Sequence, residues 1–120
     1  MKTLTVIACV LLTVYFTYKT YRYFTLEKKL VQKLNPATVI LDVRTEREYR
    51  TGHIEGAVNI PLSKLHEDSI ALDKTKVIVT CCSHGLRSVK AVTLLKEHGF
   101  KEVYNGGAWP DLEEMIRQKK

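Results

Sequence analysis

Hydrophobic residues along the chain form one long run near the start, followed by several short ones. The long run, residues 3–18, contains no charged side chain and is dominated by Leu, Val, Ile, Thr and aromatic residues. As a helix rising about 1.5 Å per residue it would span about 24 Å, slightly less than a hydrocarbon core of about 30 Å. Because Lys2 and Lys19 can extend to the interface, we assign residues 1–24 to a transmembrane anchor or signal segment.

A cleaved signal peptide is the alternative for this segment, since it also starts with a Lys and an apolar run. Residues 17–22, which read TYKTYR, contain no small-x-small cleavage site, so an uncleaved single-pass anchor is favoured. Five Lys or Arg residues follow the apolar run up to residue 35, against Lys2 and the terminal amine before it. This asymmetry predicts that the remainder faces the cytoplasm, at the inner membrane in a bacterium, with a periplasmic location as the alternative.

Shorter apolar runs after residue 25 alternate between the spacings of helices and of strands. Leu and Val at helical spacing predict an amphipathic helix that Asn35-Pro36 would end. Helices are therefore predicted at 26–34, 46–50, 88–97 and 112–118, strands at 39–42, 57–60, 77–80 and 103–104, and a turn at 105–107. This alternation indicates an α/β fold, a small parallel β-sheet flanked by helices, in one domain over residues 25–120.

The net charge of +6 is concentrated near the long apolar run. Residues 1–35 hold six Lys or Arg against one acid, which gives +5, and the remaining 13 bases and 12 acids give +1. A basic collar beside an apolar segment suits anionic lipid headgroups, so the predicted partner is a membrane and no nucleic acid.

Three cysteines, Cys9, Cys81 and Cys82, do not form a disulfide framework, because Cys9 lies in the apolar run and sequence neighbours rarely bridge. Cys81, Cys82 and His84 are too few ligands for a zinc site. We therefore predict no metal and no cofactor.

The strongest chemical signal is Cys82, at the point where the third predicted strand gives way to a helix. Free backbone N–H groups and the positive end of the helix dipole meet there, which favours anions and thiolate over thiol. Gly85 permits a turn that aims successive N–H groups inward, and Arg87 adds a cation. A buried structural cysteine pair is the competing interpretation, but side chains alternate along a strand, so Cys81 and Cys82 cannot both face one side.

Three segments together resemble the rhodanese family, in its order and at its spacing. Residues 41–44 (LDVR), Glu48 and residues 52–61 (GHIEGAVNIP) resemble its first signature. The segment 82–88 (CSHGLRS) resembles its active-site loop, and residues 105–107 (NGG) its closing turn. A single domain with an N-terminal membrane or export segment is similar to the phage-shock rhodaneses.

The resemblance implies a thiosulfate sulfurtransferase with Cys82 as the catalytic nucleophile. Cys82 would take a sulfane sulfur from thiosulfate or a similar donor and pass it, as a persulfide, to a thiol or cyanide acceptor. Asp42 and Arg44 are expected to support the first strand and its loop. Substrate-binding residues would be those of the loop: Ser83, His84, Gly85, Leu86, Arg87 and Ser88.

Two departures from the family pattern keep alternatives open. Trp109 follows the glycine pair sooner than usual, so the last helix is expected to pack differently. Cys81 precedes the nucleophile, and five residues lie between it and Arg87, which is the spacing of phosphatases and arsenate reductases of the same fold, in which Cys81 would react. Gly85 and the absence of His at Thr80 favour sulfur transfer. A non-enzymatic, membrane-bound sulfur-carrier or binding module is the second alternative.

Overall fold

Helix α1 (Lys2–Lys33) dominates the first of two compact units, Met1–Gln32 and Lys33–Lys120. The computed structural model describes residues 1–67 and 70–119. The helix predicted at 26–34 is confirmed through Lys33, but it is not a separate short element: α1 runs through that region without a break, because no Pro or Gly occurs before Pro36. The predicted boundary between residues 24 and 25 therefore falls inside α1.

In the described part of the chain, α1 is the helix long and apolar enough to cross a bilayer, and an 18-residue window within it has a mean hydropathy of 1.4. The side chains of its apolar stretch are exposed. Thr13 and Thr17 direct their hydroxyls to the carbonyls four residues earlier, at 2.8 Å, so these polar groups are satisfied within the helix. Signal sequences and core helices of soluble proteins can share this length and composition.

The second unit contains a four-stranded parallel sheet in the order β2-β1-β3-β4. This arrangement confirms the predicted α/β class with a parallel sheet flanked by helices. The strands are β1 (Val39–Asp42), β2 (Val58–Asn59), β3 (Ile78–Cys82) and β4 (Val103–Ala108). The helices are α2 (Glu46–Thr51), α3 (Leu86–Glu97) and α4 (Trp109–Lys119), with a 3₁₀ turn at Leu62–His66 that the sequence pattern did not indicate.

Strand β3 is buried along its whole length, as expected for a central parallel strand covered on both faces. Residues around it form the main hydrophobic core, among them Leu41, Leu65, Ile78, Leu95 and Phe100. In the register with β1, Asp42 lies beside Cys81, so the carboxyl ends of β1 and β3 meet at one edge of the sheet.

The structure extends β3 to Cys82 and begins α3 at Leu86, so the connecting loop has only three residues, 83–85. The predicted turn at 105–107 is wrong, because these residues lie inside β4 as a bulge. Thr80 pairs with Asn105, and Cys82 pairs with Ala108. A Cβ atom at Gly106 would lie 2.7 Å from both the Leu112 side chain and the Thr80 carbonyl, so only glycine fits there.

Candidate active site

Cys82 ends β3, and its sulfur lies beneath the loop that leads into α3. The backbone N–H of Gly85 donates to Cys82 Sγ at 2.9 Å. This contact requires the loop to turn back on itself. Gly85 makes the turn with φ at +94°, a backbone conformation that residues with a side chain rarely adopt. The first N–H groups of α3 have no partner within the helix and are close by, so the sulfur is positioned against backbone donors.

Ser88 is a second polar contact of this sulfur, with Oγ 3.6 Å from Cys82 Sγ. The Ser88 hydroxyl is also close to two acceptors, Asn105 Oδ1 at 2.6 Å and the Gly85 carbonyl at 2.8 Å. Burial by itself raises the pKa of the Cys82 thiol, but hydrogen bonds from Ser88 and from the His84 and Gly85 N–H groups outweigh it and lower the pKa. The site therefore favours a thiolate.

Arg87 is engaged by a carboxylate, which the loop pattern alone did not reveal. Its Nη1 and Nη2 donate to the two oxygens of Glu48 at 2.7 and 2.9 Å, and Nη2 also reaches Ser83 Oγ at 3.2 Å. Ser83 Oγ in turn donates to Glu48 Oε2 at 3.0 Å. The Arg87 guanidinium, first among these donors, holds the pKa of Glu48 well below its usual range.

Glu48 is itself fixed by the start of α2. Thr45 and Glu48 form a capping box, in which the Glu48 N–H donates to Thr45 Oγ at 3.2 Å and the Glu48 carboxylate accepts from Thr45. The carboxylate that holds Arg87 therefore has a defined position before any ligand arrives.

Asp42 and Arg44 form a buried ion pair at the same edge of the sheet, on the face opposite the Cys82 loop. Arg44 Nη2 donates to Asp42 Oδ2 at 2.7 Å and to the Gly52 carbonyl at 2.6 Å. The Trp109 ring covers the guanidinium, with 5.0 Å from its centroid to Arg44 Cζ. Asn59 Nδ2 ties both ends of the Asp42–Arg44 turn by donating to their carbonyls at 3.0 and 2.9 Å. These contacts fix the positions of Asp42 and Arg44 at the end of β1, and their supporting role stays a prediction.

Cys81 faces this ion pair and not the loop. Burial, with a smaller contribution from Asp42, raises the pKa of the Cys81 thiol to about 12. Cys81 is therefore a neutral thiol at physiological pH.

The remaining predicted residues divide into two groups. Gly85 and Ser88 contact the Cys82 sulfur, whereas the side chains of His84 and Leu86 are exposed. The sequence marks Glu48 and Asn105 only as parts of motifs, and their contacts with Arg87 and Ser88 are visible only in the folded structure. Within residues 1–67 and 70–119, no group of three or more His, Cys, Asp or Glu side chains is placed to hold a metal ion.

A family model described as "Rhodanese-like domain" matches residues 26–108, and the chain belongs to that family. A thiosulfate sulfurtransferase, GlpE, from Coxiella burnetii is 42% identical over 67 residues, which cover 56% of this chain and 63% of the relative. A tRNA uridine(34) hydroxylase from Yersinia pestis is 36% identical over 77 residues, 59% of this chain but 22% of the relative. The match thus spans less than two thirds of either curated relative.

Among solved structures, a rhodanese with anions from E. coli is 34% identical and superimposes with a TM-score of 0.57. The match covers 62% of this chain and 91% of that one.

Proposed function

We propose that this protein is a sulfurtransferase that carries a sulfane sulfur as a persulfide on Cys82. The observation that supports this function best is the contact of Cys82 Sγ with the Gly85 N–H, at the start of α3. Backbone donors directed at a sulfur stabilise a thiolate before the reaction and the negative charge of a persulfide after it.

The proposed cycle has two displacements. The Cys82 thiolate attacks the outer sulfur of thiosulfate, a Cys82–sulfur bond forms, and the donor's S–S bond breaks with its electron pair leaving on sulfite. An acceptor thiolate or cyanide then attacks the outer sulfur of the persulfide and releases Cys82 as a thiolate. The N–H groups of the loop hold the sulfur in both halves of the cycle, and no cofactor is needed.

Reaction through Cys81, as in a phosphatase or arsenate reductase, is disfavoured by the surroundings of that thiol. Cys81 packs against the Asp42–Arg44 pair, and its pKa of about 12 leaves almost no thiolate near neutral pH. A purely binding module would not need a thiol whose pKa is lowered by three neighbouring residues, as that of Cys82 is.

Mass spectrometry of the intact protein tests the proposed function. After incubation with thiosulfate and removal of the excess, we expect the mass of one added sulfur atom, located by peptide analysis at Cys82 and removed by cyanide. A protein that gains no sulfur from thiosulfate or from another sulfane donor contradicts the proposal.

We also propose that residues 1–24 anchor the catalytic part, residues 25–120, in a membrane with the site facing the cytoplasm. The support is the uncharged run at 3–18, the exposed apolar side chains of α1 and the basic residues that follow it. The protein should remain with membranes after alkaline extraction. An impermeant thiol reagent added to intact cells should not label Cys82, and ready labelling would place the site on the outside.

A further inference from the structure

The Glu48 carboxylate contacts two residues of the segment that follows Cys82. It accepts from both terminal nitrogens of Arg87 and from the Ser83 hydroxyl, two residues that follow Cys82 and lie on either side of the Gly85 turn. The Glu48 and Arg87 side chains are each 35% exposed, so the pair lies at the surface of the site, where a ligand approaches.

This pairing changes the charge that a sulfur donor meets. An unpaired Arg87 would present a full positive charge to an anionic donor, as the loop pattern predicts. In the structure the guanidinium is already neutralised by a bidentate contact with Glu48. The backbone N–H groups around Cys82 then have to recognise the negative charge of the sulfur donor. The Glu48 carboxylate lies beside the route by which that donor reaches Cys82.

We propose that Glu48 determines specificity for the charge of the sulfur donor, by withholding Arg87 and disfavouring donors with two negative charges. The proposal rests on sulfur transfer at Cys82 and adds a residue that ranks donors. Thiosulfate carries two charges, whereas an aromatic thiosulfonate offers the same transferable sulfur with one charge. A unit of charge should therefore separate the two donors through their interaction with the Glu48–Arg87 pair.

The decisive measurement is the ratio of kcat/KM for thiosulfate to kcat/KM for benzenethiosulfonate. Glu48→Gln keeps a side chain that can complete the capping box with Thr45 but removes the charge. We expect this ratio to rise about fivefold, the size of effect of one further unit charge across several ångströms of partly aqueous medium. The change should appear in KM for thiosulfate, with little change in kcat.

Two further variants test whether charge or shape is responsible. Glu46→Gln removes an equal charge from the same helix, at a position that pairs with Lys64 and Arg50, and should leave the ratio unchanged. Arg87→Gln leaves Glu48 uncompensated and should lower the ratio. The double variant Glu48→Gln/Arg87→Gln should return it towards the wild-type value. If all the variants at the pair reduce both donors equally, Glu48 is only a structural clamp and the proposal is wrong.

Alkylation of Cys82 tests the same idea without sulfur transfer. The rate with anionic iodoacetate, divided by the rate with neutral iodoacetamide and measured on the peptide that contains Cys82, reports the local charge. Glu48→Gln should raise this quotient and Arg87→Gln should lower it. An unchanged quotient overturns the proposal, even if persulfide forms. Absence of persulfide together with a shifted quotient would instead contradict the proposed function and leave the charge effect of Glu48 supported.

Discussion

Cys81 and Cys82 are neighbours at the end of one buried strand, yet they lie in opposite environments. Both are almost fully buried, at 0% and 1% exposure, so accessibility does not distinguish them. Cys82 is surrounded by donors from the Gly85 loop and from Ser88, and its pKa is lowered. Cys81 lies on the face that carries the Asp42–Arg44 pair, and its pKa is raised.

The difference shows that partners, more than burial, decide which thiol can react. Strand geometry sends consecutive side chains to opposite faces, and only one face receives the N-terminal end of α3. On that face, hydrogen bonds to the charged form exceed the cost of desolvation. On the other, desolvation dominates.

The largest expected effect comes from replacing each thiol separately. Cys82→Ser should abolish persulfide formation and lower the rate of thiosulfate:cyanide transfer by a factor of about 10³ or more, because a neutral hydroxyl is a poor nucleophile. Cys81→Ser should keep most of the activity. Steady-state kinetics with thiosulfate and cyanide would measure both.

An aryl phosphate assay on the same two variants provides the control. Phosphatase activity lost in Cys81→Ser but kept in Cys82→Ser would reverse the assignment of the two thiols. Full sulfur transfer by Cys82→Ser would refute the proposed mechanism.

The second prediction concerns the ion pair on the Cys81 face. Asp42→Ala leaves the buried guanidinium of Arg44 without its carboxylate, which is 0% exposed in the folded protein. Breaking a buried pair in this way should reduce the free energy of unfolding by about 3–5 kcal/mol, measured by urea denaturation. Asp73→Ala, at an exposed aspartate that bonds to Thr75, is the matched control and should change it little. An equal loss in both variants would show that the pair contributes nothing of its own.

The third prediction concerns the hydrogen bonds to the Cys82 sulfur. Ser88→Ala removes the hydroxyl 3.6 Å from the sulfur and should raise the pKa of Cys82. Loss of one hydrogen bond to a charged group should slow alkylation by iodoacetamide about tenfold near neutral pH. The rate should recover at alkaline pH, where the thiolate forms without help. Ser63→Ala, at an exposed serine of the 3₁₀ turn, should show no change, and a similar slowing there would argue against a role for Ser88.

Most of the fold and the position of Cys82 could be predicted from the sequence, because they depend on local patterns. The apolar run that became β3, the Gly85 turn and the helix after it are all short-range signals. The bulge at 105–107 could not be predicted, since two glycines look like a turn unless the close approach of Thr80 and Leu112 is known.

The charge of the site could not be predicted for a similar reason. Glu48 and Arg87 are 39 residues apart, and the pattern of the loop contains no information about α2. Trp109 is a comparable case: its early position after the glycine pair is visible in the sequence, but its packing over Arg44 depends on the path of β4.

The smallest expected effect is a difference in how the two thiols link stability to pH. Cys81 keeps its proton in the folded state up to about pH 12, whereas the thiol of the unfolded chain has its ordinary pKa of 9.0. Below pH 9 both states hold the proton; above it the unfolded state loses the proton first, so the free energy of unfolding falls as pH rises from 9 towards 12. The contribution of Cys82 to the free energy of unfolding changes with pH in the opposite direction. Its lowered pKa contributes stability that is present above 9 and is lost as pH falls through the folded-state value.

Urea denaturation at about pH 7.5 and about pH 10 should therefore separate the two variants. On going from the lower to the higher pH, the free energy of unfolding should fall by about 1.4 kcal/mol less in Cys81→Ser than in the wild type. This difference corresponds to one pH unit of titration above the pKa of the unfolded thiol, about 1.4 kcal/mol. The free energy of unfolding should fall further in Cys82→Ser than in the wild type, because this variant lacks the thiol whose contribution to stability grows over the same pH interval. All three proteins share every other ionisable residue, so the comparison isolates the contribution of the replaced thiol. The same pH slope in Cys81→Ser and the wild type would mean that the ion-pair face does not hold Cys81 as a neutral thiol, and the contrast between the two faces of β3 would then rest on Cys82 alone.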